Sequence, residues 1–106
     1  MHAVIRRYTD AGKLIEEMSR RSHEVESIIT AVPGFSAYHA FRSGDSLVTI
    51  SVFRDKKGTE ESTRKAAEWV KANLPAGSIR PPEVTEGELF LDFAAPHTAG
   101  VGAGRA

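Results

Sequence analysis

The chain contains no cysteine. Disulfide bonds and thiolate metal sites are therefore excluded, and the composition suits a reducing compartment. The sequence also lacks any apolar run near the roughly 20 residues that cross a bilayer, and its N-terminus lacks the apolar segment of a signal peptide. From these absences we expect a cytoplasmic protein without a membrane partner.

The chain also has no excess of positive or negative charge. The 14 basic and 14 acidic residues cancel, so no long-range field favours a nucleic-acid partner. No two histidines or carboxylates recur at ligand spacing, and no glycine-rich phosphate loop or nucleophile motif is present. The sequence therefore predicts no metal site and no cofactor, and it identifies no catalytic residue.

Two alternating segments on either side of a polar turn at 43–46 predict a β-hairpin. The first segment places Phe35, Ala37, His39 and Phe41 on one face and Ser36, Tyr38, Ala40 and Arg42 on the other. The second segment separates Val48, Ile50 and Val52 from Leu47, Thr49, Ser51 and Phe53. This second strand is predicted to be central in its sheet and covered on both faces.

Two helices flank the hairpin. The first is predicted as one helix of about five turns, capped by Asp10 and ended by Pro33–Gly34. Its apolar stripe consists of Leu14, Met18, Val25, Ile29 and Val32. The second helix is predicted to follow the break at Gly58–Thr59 and to end at 73–75. Its stripe consists of Thr63, Ala66, Ala67, Val70 and Leu74.

Strands are also predicted at both ends of the domain. The first spans 2–9, and its neighbours Arg6 and Arg7 must point to opposite sides. The last spans 83–93, with an acidic side that suits a sheet edge. We expect a single domain over 1–94 and a disordered tail over 95–106.

The element order β-α-β-β-α-β predicts an α+β, ferredoxin-like protomer: a four-stranded antiparallel sheet with two helices on one face. Two helices cover only one face of the sheet. The side chains of the other face are not the polar ones expected on a surface exposed to water. An uncovered face of this kind marks an interaction surface. We therefore expect a homodimer that pairs these faces about a two-fold axis.

Three stretches carry a family resemblance: Pro33-Gly34-Phe35, the strand Thr49-Ile50-Ser51-Val52-Phe53, and the helix from Glu60-Glu61-Ser62 to Trp69-Val70. Over residues 2–93 the chain resembles the dimeric α/β-barrel superfamily, nearest to the antibiotic biosynthesis monooxygenase-like and stress-responsive barrel proteins. The resemblance implies an obligate homodimer with a cavity between sheet and helices in each subunit. Because these stretches are mostly turn and core positions, they indicate fold rather than activity.

The enzymes of that superfamily are cofactor-free quinone-forming monooxygenases and haem-degrading oxygenases. The haem-degrading branch uses an asparagine on the first strand, with a tryptophan and a histidine on the second helix. Here only Trp69 matches, because the first strand offers Arg6, Arg7 and Tyr8 and the second helix has no histidine. Haem degradation is not expected.

Four residues are candidates for ligand binding, each with a structural alternative: Trp69, Tyr38, Asn73 and His39. Trp69 stacks on a planar ligand or seals the core edge, and Tyr38 bonds a quinone-like oxygen or packs under a helix. Asn73 bonds a ligand carbonyl or caps its helix. His39 acts as a base or ligand contact, or lies satisfied in the dimer interface. The structural alternative is favoured for all four.

Two functions remain open at this point. The first is a dimeric domain that binds a small apolar or aromatic ligand or serves a stress response. The alternative is a cofactor-independent monooxygenase acting on an aromatic quinol-like substrate. The sequence shows no assembled acid–base pair, which favours the binding protein.

Overall fold

The computed structural model describes residues 1–95. The elements are β1 (His2–Tyr8), α1 (Gly12–Arg20), α2 (Ser22–Thr30), β2 (Phe35–Ser43), β3 (Ser46–Phe53), α3 (Lys56–Asn73) and β4 (Glu83–Glu88). The four strands form one antiparallel sheet in the order β2-β3-β1-β4. The predicted α+β, ferredoxin-like fold is confirmed. The disordered tail predicted over 95–106 lies, apart from Ala95, outside the described residues.

The helices lie against one face of the sheet. That face carries Val4, Arg6 and Tyr8 of β1 opposite Ser51, Thr49 and Leu47 of β3, and all six are buried. The other face carries Ile5 opposite Ile50, and Phe41 opposite Val48. Arg6 and Arg7 do point to opposite sides of β1, so one guanidinium is buried and the other exposed.

The first predicted helix is wrong in two respects, and the first is that the structure breaks it into α1 and α2. Arg21 leaves helical geometry at φ −116° and ψ 37°, although its N–H still bonds the Glu17 carbonyl at 3.0 Å. The break falls at Arg21 and Ser22, where the stripe has no apolar residue to pack. The cap is also different. Ala11 precedes the helix, while Asp10 adopts a positive φ of 51° and lies 3.7 Å from Arg80.

The second predicted helix begins earlier than expected. Asp55 is its N-cap and accepts a hydrogen bond from the Gly58 N–H at 3.2 Å. Gly58 does not precede the helix but lies within its first turn. A Cβ on Gly58 would lie 2.7 Å from the Cβ of Phe53, so glycine allows α3 to approach β3 closely.

The predicted stripe of α3 is also displaced around the helix. The residues that α3 buries are Gly58, Thr59, Ser62 and Trp69. Ala67, which was assigned to the stripe, is exposed. The buried row therefore consists mainly of small and hydroxyl side chains with one indole, and hydrophobic periodicity alone does not detect such a row.

Two strand details differ from prediction. A bulge between Phe35 and Ala37 turns Phe35 away from His39 and Phe41 and onto the helix side. There its ring meets Phe53 edge-on, with centroids 5.9 Å apart. The last strand ends at Glu88 rather than at residue 93, and the exposed side chains of Phe90, Leu91 and Phe93 lie beyond it. β4 is an edge strand, as predicted.

No helix in residues 1–95 is both long enough and apolar enough to span a bilayer.

Candidate functional site

A cavity lies between the helix-covered face of the sheet and all three helices. Its walls are mostly apolar and come from Leu14, Met18, Val25, Ile28, Ile29, Ala66 and Val70. Its polar lining consists of Arg6, Tyr8, Tyr38, Thr49, Lys65 and Trp69. The cavity volume is about 40 Å³, enough for a few water molecules. We call this space the inner cavity.

A wider cleft adjoins the inner cavity along α3. Its volume is about 530 Å³, and it shares Arg6, Tyr8 and Val70 with the inner cavity. The remaining walls come from α3, β4 and the loop between them, including Leu74, Ile79, Pro81, Pro82 and Val84. We call this space the outer cleft. Arg6 therefore lies at the junction of the two spaces.

Arg6 is the most unusual residue of the site, because its charged side chain is only 1% exposed. The alternation of β1 places it under α3, between Val4 and Tyr8 on the same face. Its guanidinium makes five hydrogen bonds to hydroxyl groups. Nε and Nη2 donate to Thr63 at 3.3 and 3.0 Å, Nη2 to Ser62 at 2.7 Å, and Nη1 to Thr49 at 3.4 Å and Ser51 at 3.3 Å.

The hydroxyls on α3 are fixed as acceptors for this guanidinium. Ser62 and Thr63 both donate their own hydroxyl hydrogens to the Thr59 carbonyl, at 2.8 and 3.0 Å. Since each hydroxyl has one hydrogen, only lone pairs remain to face Arg6. The sequence of α3 thus builds a neutral cradle for a cation.

The charge of Arg6 has no carboxylate partner among residues 1–95. Glu86 acts on it from a distance, but its side chain bonds His2 at 3.2 Å and Thr59 at 3.4 Å. Burial lowers the pKa of Arg6, and the tyrosines Tyr8 and Tyr38 partly offset this effect. Arginine stays protonated in proteins, so the site contains an uncompensated positive charge.

The indole N–H of Trp69 is a second buried donor of the site, and it has no partner among residues 1–95. The indole of Trp69 is 8% exposed and belongs to the core with Tyr8, Leu14 and Leu47. Its Nε1–H is buried and finds no acceptor among the described residues. A buried, unpaired donor is costly, and at a cavity wall it indicates a site for an acceptor.

Both tyrosines of the site hold their protons. Burial raises the pKa of Tyr38 to about 12, against the opposing effect of the Arg6 charge. Burial likewise raises the pKa of Tyr8. At neutral pH the two phenols are therefore hydrogen-bond donors rather than phenolate bases.

The four residues predicted to bind a ligand do not all meet. Trp69 and Tyr38 line the inner cavity. Asn73 does not line the inner cavity, and its side-chain N–H donates to the Trp69 carbonyl at 2.9 Å within the last turn of α3. His39 is exposed on the opposite face of the sheet, beside Ile50. Within residues 1–95 no cluster of histidine and carboxylate side chains fits a metal ion.

Arg6 is the site residue that sequence reasoning missed. The signal was present, since Arg6 occupies an inward position of β1 between Val4 and Tyr8. Its partners also had a signal, because Thr49 and Ser51 alternate on the inward face of β3 and Thr59, Ser62 and Thr63 share one side of α3. A buried cation needs such hydroxyls when no acid is nearby.

The raised tyrosine pKa predicts how stability depends on alkaline pH. The unfolded chain ionises Tyr38 from about pH 10, whereas the folded protein resists ionisation until about pH 12. Stability from this group is therefore complete below pH 10 and is lost as the pH rises toward 12, by up to about 1.4 kcal/mol per pH unit.

Urea unfolding of the wild type and Tyr38→Phe near pH 9 and near pH 11 measures this difference, because other titrating groups are common to both proteins. We expect the wild type to lose more stability than the variant between the two conditions. Equal losses of stability in the wild type and the variant would show that folding does not raise the pKa of Tyr38.

Comparison with known proteins gives structural matches only. No protein-family model and no curated protein matches the chain. Among solved structures, the protein NE2512 of unknown function from Nitrosomonas europaea superposes with a TM-score of 0.68 at 18% identity, covering 91% of this chain and 95% of that chain.

Two further structures are proteins with ligands bound. A monooxygenase from the gene ActVA-Orf6 of Streptomyces coelicolor, in complex with nanaomycin D, matches at TM-score 0.62 and 20% identity, covering 90% of this chain and 92% of that chain. The heme-degrader MhuD of Mycobacterium tuberculosis, with two hemes bound, matches at TM-score 0.61 and 16% identity, covering 89% and 100%. At these identities the likeness establishes fold. The chain therefore shares the fold of these three proteins, in which a four-stranded antiparallel sheet carries helices on one face.

Proposed function

We propose that this protein binds a small apolar or aromatic molecule at the junction of the inner cavity and the outer cleft. The observation that carries the proposal is the Nε1–H of Trp69, which has no acceptor among residues 1–95 and belongs to a side chain in the wall of a mostly apolar cavity. A ligand acceptor would satisfy this donor, and the phenol ring of Tyr8, which lines both spaces, would contact a planar ring.

Cavity size sets where such a ligand would sit. A ring system does not fit within about 40 Å³, but the adjoining outer cleft of about 530 Å³ is large enough for one. We place the bulk of the ligand in the outer cleft, between Val70, Leu74 and Ile79, with its polar end directed past Tyr8 into the inner cavity. The structures of ActVA-Orf6 and MhuD, which hold planar ligands on this fold, support the proposal.

The alternative function is a cofactor-independent monooxygenase acting on an aromatic quinol-like substrate. The bound nanaomycin D in the ActVA-Orf6 monooxygenase supports it, as do Trp69 and Tyr38 in the cavity wall. In this function the same two side chains would orient a quinol ring away from water. Haem degradation is not proposed, because α3 contains no histidine.

Binding can be followed directly, since Trp69 is the only tryptophan of the chain and its fluorescence reports on the site alone. We expect a naphthoquinol, titrated without oxygen, to change that fluorescence saturably. Ala66→Leu would narrow the inner cavity, and Ala67→Leu would narrow the outer cleft. Each substitution should therefore weaken naphthoquinol binding by about tenfold.

Ala72→Leu is the matched control, because it adds the same side chain at an exposed position of α3 and should leave binding unchanged. Ala67 is itself exposed, so its variant is expected to fold even if Ala66→Leu does not. Wild-type affinity in both cavity variants would contradict the proposed position. Oxygen uptake above the rate without protein, lost in these variants, would establish the monooxygenase instead.

We also propose that the working form is a homodimer, in which a second copy covers the sheet face that the helices leave bare. This face carries Ile5, 39% exposed, and Phe41, 52% exposed, among neighbours such as Ala37, Ile50 and Val52. Contiguous apolar side chains on a sheet face favour burial against a partner. In such a dimer His39 would lie in the interface, which is the alternative favoured for it.

Phe41→Asp tests the dimer. A charge at this position would have to be desolvated at the interface, so we expect sedimentation velocity to show a dimer for the wild type and a monomer for the variant. Ala72→Asp adds the same charge on the exposed surface of α3 and should stay dimeric. A monomeric wild type at micromolar concentration, or a dimeric Phe41→Asp, would contradict the proposal.

A further inference from the structure

We propose that the ligand of this site is an organic acid: an aromatic molecule with one ionised oxygen, a carboxylate or a phenolate, that binds the Nη1 group of Arg6. This inference rests on the proposed function and names the chemical class of its ligand.

The polar groups of the inner cavity are complementary to an anion. Arg6 and Lys65 are cations, and the indole N–H of Trp69 can only donate. Tyr8, Tyr38 and Thr49 carry hydroxyl groups that can donate as well. Among residues 1–95, none of those that line the inner cavity is an acid. A neutral apolar ligand would leave the charge of Arg6 uncompensated and the Trp69 N–H without an acceptor.

The outer cleft has the same sign of charge. Arg6, Lys71 and Arg80 line it, and the part of the chain that the structure describes contributes no acid to its walls. The only carboxylate that pairs with any of these three among the described residues is Asp10, at 3.7 Å from Arg80. The whole chain is neutral, so the four cations of the two spaces represent a local concentration of positive charge. Clefts lined by one sign of charge attract ions of the other sign.

The geometry of Arg6 indicates which of its atoms an anion would reach. Nη2 is held tightly by Ser62 at 2.7 Å, inside the cradle on α3. Nη1 makes only the long bonds to Thr49 and Ser51, at 3.4 and 3.3 Å. Thr49 itself lines the inner cavity. Because charge-assisted bonds to carboxylates are shorter, near 2.7–2.9 Å, an anionic oxygen would compete well for Nη1.

The buried cation also explains why an anion would be held strongly. The guanidinium has lost its hydration, and the hydroxyls that replace water carry no charge. An anion entering the site would therefore meet a charge that is poorly screened by solvent. Binding of an acid would restore neutrality to the core, which a neutral ligand cannot do.

The test is a matched pair of ligands on the wild-type protein, followed by Trp69 fluorescence or calorimetry. Naphthoate and naphthamide have the same ring and nearly the same shape but differ in charge. We expect naphthoate to bind more tightly by roughly tenfold to a hundredfold. A nitronaphthol that is ionised at neutral pH distinguishes a phenolate ligand from a carboxylate. Tighter binding of the nitronaphthol than of naphthoate would indicate a phenolate, and tighter binding of naphthoate would indicate a carboxylate.

The outcomes separate this inference from the proposed function. If naphthamide binds as tightly as the two anions, the site exists but the inference of an acid is wrong. If none of the three ligands binds, both the site and the inference fail. Tighter binding of either anion than of naphthamide supports both.

Variants locate the charge that is responsible. Arg6→Met should reduce naphthoate affinity to that of naphthamide, whereas Arg6→Lys should keep a preference for the acid. Because Arg6 is buried, a rim variant that leaves the core intact is also needed. Lys71→Met should weaken naphthoate binding by about twofold to fivefold and leave naphthamide unchanged, as expected for a solvent-screened charge. Lys13→Met, on exposed α1 surface, should change neither, and equal effects of the two lysine variants would overturn the proposed position.

Discussion

The structure depends on one buried charge, the guanidinium of Arg6. Removing an ion from water costs several kcal/mol even after the protein relaxes, so it must be surrounded by oriented polar groups. Here hydroxyls from β3 and α3 provide them, and those on α3 are oriented by the Thr59 carbonyl. The same bonds join the central strands to α3. The hydrogen bonds of Arg6 therefore hold the sheet and α3 together, in addition to apolar packing.

These hydrogen bonds require small side chains on the surface of α3 that faces the sheet. Gly58 lets the helix approach Phe53, and Ser62 and Thr59 are small enough to fit beneath it. The bulky Trp69 lies farther along α3, in the core cluster with Tyr8 and Leu14. The cavity lies beside that indole. A helix with larger apolar residues in the same row would fill the space, so the cradle for Arg6 and the existence of a cavity have a common origin.

Much of the fold was predictable because its signals are local. The alternation of 47–53, the turn at Gly44 with its positive φ of 61°, and the proline–glycine stop after α2 each determine a backbone feature. The errors arose where the signal depends on tertiary contacts. The apolar period of α3 pointed to Ala67, but a buried arginine drew Ser62 inward instead. The bulge at Phe35 reverses the alternation of side chains in β2. The break at Arg21 interrupts the helical period between α1 and α2. Each change occurs at a single residue.

The candidate site was predictable only in part, for the same reason. Trp69 and Tyr38 were named from the sequence, and both lie at the cavity. Alternation places Arg6 on the inward face of β1, but only the tertiary fold shows that four hydroxyl groups from β3 and α3 meet at its guanidinium. The proposals of a ligand and of its acidity follow from this group.

A crystal structure of the protein with naphthoate tests the account most directly. We predict a carboxylate oxygen within hydrogen-bonding distance of Arg6 Nη1, with the ring in the outer cleft beside Val70 and Leu74. Naphthoate bound elsewhere, with the bonds of Arg6 to Thr49 and Ser51 unchanged, would contradict the account.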